Sequence, residues 1–233
     1  MNVWESLGYD RYLRPEAVKK RLAVASFMDS INDELIPYVN RAEFPFHLLP
    51  QIQKLGINGF QIEGYGSPAF SNVETGVMFF EMAKRDASLS TFVLVHNSVG
   101  STSIDKLGDK SQKDRLLPET INMQKIISFA LTEPSNGSDA SGLTTTATKV
   151  SGGYLLNGQK RWIGSATIAD YIIVWAKNKS DNNKIQAFIV TTKDCKGFEV
   201  RKMENKFAMR MNQNGDFTLK DVFVPDCDKL ALA

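Results

Sequence analysis

The sequence predicts an α+β chain of two domains, an all-α half followed by a mainly stranded half. Upstream of about Gln124, apolar residues recur three and four apart, the period of one helix face. Downstream they fall in short β-rich runs cut by Gly, Asn, Asp and Pro. The domains are therefore set at 1–124 and 125–233. With 233 residues, 42% hydrophobic and 23% charged, the chain can bury a core of that size.

The first helix is entered at Pro15, carries Val18, Leu22, Ala25, Met28, Ile31 and Leu35 as its apolar stripe, and ends at Pro37. Leu48, Leu49, Ile52 and Leu55 mark a shorter helix closed by Gly56. Val73, Val77, Phe80 and Lys84 lie on a third, capped by Ser71. A fourth runs from Thr91 to Leu107 and stops at Gly108, and a short polar helix from Ser111 to Leu117 precedes Pro118. The predicted strands are 126–131, 147–150, 154–156, 171–176, 185–191 and 222–224. Asn157-Gly158 reads as a two-residue hairpin turn, with 159–163 as the returning strand, because both positions of that turn need a positive φ.

Composition removes several classes of function. Twenty-eight basic against 26 acidic residues leave a formal charge of +2 with no long run of one sign, so nucleic acid and anionic membrane are poor partners. Cys195 and Cys227 fit neither a disulfide framework nor a metal pair, and His47 and His96 lack zinc-site spacing, so no metal is expected. No apolar stretch reaches the length of a membrane span. Met1–Glu5 does not read as a signal peptide, and the closing Ala231-Leu232-Ala233 is not a peroxisomal address.

Two segments carry candidate chemistry. In 129–140 an apolar strand breaks at Pro134 into a hydroxyl-rich loop, where Gly137 allows close backbone approach and Thr132 and Ser138 offer donors to a phosphate. It reads equally as a polar connection whose Ser, Asn and Asp bond their own backbone. In 158–166, Trp162 stands beside small residues, a place for a flat ligand to stack, or else an ordinary core tryptophan. Lys160 and Arg161 read as cations steering phosphates or as a solvated strand face. Met209 and Met211 read as core.

The pairing of these segments, with Arg41–Phe46, Gly64-Tyr65-Gly66, Asp86-Ala87-Ser88, Val95–Ser98, Leu116-Leu117-Pro118, Lys160–Gly164, Arg210–Asp216 and Val222–Pro225 in that order, resembles the acyl-CoA dehydrogenase and acyl-CoA oxidase flavoenzymes. Plant-type short-chain acyl-CoA oxidases and glutaryl-CoA dehydrogenases resemble it most. The resemblance implies a helical N-terminal domain, a β-barrel-like middle domain and a C-terminal four-helix bundle that is absent from these 233 residues. It implies FAD as cofactor, an acyl-CoA substrate, homotetramers or dimers, and peroxisome or mitochondrial matrix as location.

Carried over by position, Phe129, Leu131 and Thr132 meet the flavin's pyrimidine edge, Gly137 and Ser138 the pyrophosphate, and Trp162, Ile163 and Gly164 the ring. Ser138, Ser90, Phe92, Leu94 and His96 are the implied substrate side, although His96 reads equally as a packed helix histidine. Many dehydrogenases have a threonine where Gly164 stands, which leaves dehydrogenase or oxidase open. No catalytic residue is expected in this chain, because the family's base belongs to the bundle and Glu133 reads as structural. The rival expectation is a non-catalytic flavin- or CoA-binding relative, or an interaction subunit.

Overall fold

The computed structural model describes residues 8–233, so the reading of Met1–Glu5 lies outside the described part. A one-turn 3-10 helix, Tyr9–Tyr12, leads into α1, Pro15–Arg41. The buried face of α1 is Ala17, Arg21, Val24, Met28, Ile31 and Leu35, an unbroken alternation of steps of four and three. Leu22, placed on that face by the sequence reading, is exposed. Arg21 takes a core position instead, because its guanidinium finds Glu81 at 3.0 Å and Asp10 at 3.0 Å. Pro37 does not end the helix, which continues for a further turn to Arg41.

The short α2, Leu49–Lys54, is followed by Gly56 at a φ of 61°, as its closing role requires. Helix α3, Asn72–Ala83, opens with a full capping box between Ser71 and Glu74. Its buried face holds Glu74, Val77, Met78, Glu81 and Met82, while Val73 and Phe80 are exposed. Helix α4, Ala87–Leu94, passes through a π-helical stretch, Val95–Ser101, into α5, Thr102–Leu107, so one helical run ends at Gly108 as expected but begins a turn earlier. Helix α6, Lys110–Ile121, contains Pro118 rather than stopping before it.

Among the described residues seven strands form one curled mixed sheet: β1 Ile127–Ala130, β2 Thr146–Val150, β3 Gly153–Ile163, β4 Tyr171–Asn178, β5 Lys184–Thr191, β6 Phe198–Lys202 and β7 Gly215–Pro225. The two-residue turn is Ser151-Gly152, with Gly152 at a φ of 76° and Val150 paired to Gly153. Asn157-Gly158 instead lies inside the single long β3, opposite a bulge of β7 where Lys220 and Asp221 face the one residue Asn157. Glycine is needed there for space, since a Cβ would lie 2.4 Å from Thr145 Oγ1. Strand β6 escaped the sequence reading, because Phe198–Lys202 is polar and its residues are at most half-buried.

Strand pairing opens the place that matters. Strands β1 and β2 share one edge of β4: Ile127–Ala130 run parallel to Tyr171–Val174, and Thr146 and Ala147 to Lys177 and Asn178. The chain leaves this edge after Ala130 and returns to it at Thr146, so residues 131–145 form an excursion from a gap in the sheet. The helices press on β1 through the π stretch, where a Cβ on Gly100 would lie 2.7 Å from Ile127 Cγ2. His96 joins the halves there: Ile127 N–H donates to Nδ1 at 3.3 Å, and Nε2–H donates to Thr120 O at 2.8 Å. No described helix is long and apolar enough to cross a membrane.

Candidate functional site

The excursion is tied down by one acid. Glu133 accepts from Thr144 N and Thr144 Oγ1 at 2.6 Å each, from Thr145 N at 2.9 Å and from Lys160 Nζ at 2.9 Å. Burial opposes its charge, but the hydrogen bonds from Thr144, Thr145 and Lys160 outweigh burial and bring the pKa down to about 2. Lys160 also donates to Leu131 O at 2.9 Å. Its side chain is 0% exposed, which corrects both readings of it, as a phosphate-steering cation and as a solvated face. Burial lowers the Lys160 pKa, and Glu133 partly offsets that.

The apex of the excursion is open. Gly137 and Ser138 are exposed, nothing lies within 4 Å of a Cβ built on Gly137, and the amides of these two residues bond no protein group among the described residues. Thr132, half-buried at the base, accepts from Arg161 N through its carbonyl at 2.9 Å. Phe129 meets Trp175 in an edge-to-face contact at 6.0 Å between ring centres, and Leu131, two residues on, is half-buried.

Trp162 sits at a second irregularity of β3, between Lys160 and Ile163, with φ at 65° and 59% of its surface exposed. A bulky residue in the left-handed region is a strained exception, and such strain gathers at ligand sites. Neighbours hold it there: Trp162 N donates to Asp216 Oδ1 at 3.3 Å, Asn214 Nδ2 donates to Trp162 O at 3.3 Å, and the Arg161 guanidinium lies 4.9 Å from its ring. An aromatic face is thus held out of the core, against the ordinary fate of a strand tryptophan. Clefts of about 480 and 500 Å³ flank it, one lined by Arg161, Arg201 and Lys220, the other by Trp162 and Lys206.

Beyond Trp162, Ile163 is buried and Gly164 faces the helical domain. A Cβ on Gly164 would stand 3.3 Å from Val95 Cγ2, so Val95 fills the room a larger residue would need. Asn212 and Ser165 lie close by in the fold or chain, and each keeps a buried side-chain oxygen without a partner, Oδ1 and Oγ.

The expected substrate side is less open. Leu94 is 39% exposed, but Ser90, Phe92 and His96 are core residues. Ser90 Oγ donates to Phe79 O at 3.3 Å, and Phe92 packs on Phe44 at 4.5 Å between ring centres. The substrate-lining expectation for His96 is corrected, since both ring nitrogens are spent on backbone and burial drives its pKa down to about 4. Met209 is also corrected, being 42% exposed beside Thr91, whereas Met211 is core. Sequence reasoning had Asn214 and Asp216 only within the Arg210–Asp216 motif and gave them no site role, yet they are the polar groups that fix the Trp162 backbone. No cluster able to hold a metal occurs among the described residues, and Cys195 and Cys227 are free thiols.

The exposed Trp162 ring and the open loop apex belong to two segments joined at the loop base by Arg161 N and Thr132 O. Residues 16–124 match the acyl-CoA dehydrogenase N-terminal domain and residues 128–222 the acyl-CoA dehydrogenase middle domain, so the chain belongs to the acyl-CoA dehydrogenase family. It is 35% identical over 191 residues to an acyl-CoA dehydrogenase of Bacillus subtilis (strain 168), covering 81% of this chain and 50% of that protein. It is similar in structure to a glutaryl-CoA dehydrogenase from Mycobacterium smegmatis in complex with FADH2, with a TM-score of 0.90 and 30% identity over 96% of this chain and 57% of that one. Butyryl-CoA dehydrogenase from Megasphaera elsdenii gives a TM-score of 0.86 at 29% identity, over 94% and 59%. The chain spans about half the length of the curated relatives it matches.

Proposed function

We propose that the chain is the FAD-holding part of an enzyme that desaturates a short-chain acyl-CoA between its α and β carbons. The observation that carries this reading is Trp162, strained, 59% exposed and next to the 131–145 excursion. Trp162, Ile163 and Gly164 take the ring, Phe129, Leu131 and Thr132 its polar edge, and Gly137 and Ser138 the pyrophosphate. When bound, FAD accepts the β hydrogen as hydride.

Glu133 is not free to take the α proton, because both of its oxygens are saturated by Thr144, Thr145 and Lys160. The base is accordingly assigned to the family's C-terminal bundle, as are closure of the crevice and assembly into dimers or tetramers. Ser90 stands where glutaryl-CoA dehydrogenases resemble one another in carrying an arginine for the far carboxylate. Burying that carboxylate unpaired costs about 3–5 kcal/mol, which favours a monocarboxylic acyl chain with Leu94 at its tunnel. Gly164 lacks the hydroxyl a threonine would place there, which bears on how reduced flavin is reoxidised and so on dehydrogenase against oxidase, and the family resemblance sets the chain in the peroxisome or mitochondrial matrix.

The test is a titration of the purified chain with FAD, followed by absorbance, then by assay with butyryl-CoA and an artificial acceptor. Weak FAD binding that Trp162→Ala abolishes, and turnover only when a C-terminal domain is supplied, are the expected results. Turnover by the chain alone would place the base within these residues. Glutaryl-CoA bound as tightly as butyryl-CoA by the assembled protein would overturn the substrate class, and hydrogen peroxide yield decides oxidase against dehydrogenase.

A further inference from the structure

The Glu133–Lys160 ion pair is shut away from the site it adjoins, with side chains 1% and 0% exposed. Neither group can touch a ligand. Their partners nevertheless lie at every junction of the site: Leu131 where the excursion leaves the sheet, Thr144 and Thr145 where it returns, and β3 two residues before Trp162. Arg161 N to Thr132 O, at 2.9 Å, is a second stitch between the same two segments. The strand cannot slide away from the loop base, since Gly158 packs directly on Thr145.

Burial of two charges is weak evidence for stability, because apolar replacements of similar volume often serve as well. A buried pair does fix geometry, as its attraction and hydrogen bonds are satisfied in one arrangement. We propose that Lys160 and Glu133 are positioning residues that set the distance between the loop apex at Gly137 and Ser138 and the ring platform at Trp162. This rests on the reading that FAD spans those two places. A ligand gripped at both ends gains affinity only while the grips are correctly spaced. Loosening the pair then costs the joint grip and leaves each separate grip intact.

The variants are Lys160→Met, which strands a buried carboxylate and is expected to unfold readily, and the double variant Glu133→Gln with Lys160→Met, which removes both charges and keeps a side chain able to bond Thr144 and Thr145. The full chain is titrated with FAD, with lumiflavin as the ring alone and with ADP as the tail alone, and folding is followed by circular dichroism. The double variant is expected to melt cooperatively, to bind lumiflavin and ADP like the unaltered chain, and to lose FAD affinity by a factor on the order of 10–100. Unchanged FAD affinity, or equal losses for FAD and lumiflavin, would overturn the positioning role. If the double variant does not fold, Lys160→Arg carries the same comparison, and loss of lumiflavin binding along with FAD again overturns it. An unaltered chain that binds neither FAD nor lumiflavin overturns the flavin reading itself, a result distinct from those.

Discussion

Trp162 pays for its exposure in backbone strain: a non-glycine residue at a φ of 65° costs about 1–3 kcal/mol, and the surrounding hydrogen bonds to Asp216 and Asn214 hold it there. Two consequences can be measured. Trp162→Gly is expected to be more stable than Trp162→Ala by about 1 kcal/mol in urea unfolding, the reverse of the usual order in a strand, because only glycine enters the left-handed region freely. The opposite order would mean that the strand relaxes once the ring is gone. At Gly164, a threonine would press its Cβ against Val95, 3.3 Å away, and Gly164→Thr is expected to destabilise by about 1–3 kcal/mol. Val95→Ala should recover most of that loss, and failure to do so would place the strain elsewhere. The motif around Trp162 was legible in the sequence, but Lys160 was not. Its burial depends on a glutamate 27 positions earlier, a partner that no local pattern reveals.

At the scale of elements, end signals proved more readable than faces. Ser71 was recognisable as a cap, and its hydroxyl accepts from Glu74 N while the Glu74 carboxylate accepts from Ser71 N. The same carboxylate pairs with Arg14, the largest influence on its pKa of about 2. Ser71→Ala is expected to cost about 1 kcal/mol by thermal or denaturant unfolding, and a cost near zero would show that Arg14 alone anchors this helix start. The faces were misjudged where charge is buried. Arg21 and Glu81 hold core positions on α1 and α3 because they satisfy each other at 3.0 Å, while Leu22 and Phe80 turn outward. Asn157-Gly158 has turn chemistry yet lies inside β3, since Ser151-Gly152 had already reversed the chain and β7 pairs along both halves of the strand.

The stability of the whole molecule leans on groups that dislike acid, one of which fastens its two halves together. His96 bridges Thr120 and Ile127 as a neutral ring, and burial lowers its pKa from 6.5 to about 4. The unfolded chain therefore takes up a proton that the folded one refuses, and stability falls as pH drops from about 6.5 to about 4, by up to about 3 kcal/mol. Glu133 and Glu74, both with pKa values near 2 against 4.5, add a further loss between those values as they are forced to protonate. Melting temperature measured from pH 7 to pH 4 should decline for the native chain and stay flatter for His96→Gln, whose amide can donate and accept in the ring's place. A parallel decline in both would remove His96 as the source.

By itself the sequence determined the division into helical and stranded halves, most helix ends, the turn-rich loop after β1 and the family motifs that mark Trp162 and its neighbours. These features are written in nearest-neighbour chemistry: periodicity, caps and residues suited to one backbone conformation. Tertiary structure alone decided that Trp162 faces outward under strain, that Lys160 and Arg21 go inward as charges, that His96 is a fastener between halves, and that β1 and β2 share one edge of β4. Each of those outcomes depends on a partner distant in sequence. A buried ion or a strained backbone is favourable only after the fold has delivered the groups that compensate it, so its cause cannot be read from the residue or its neighbours along the chain.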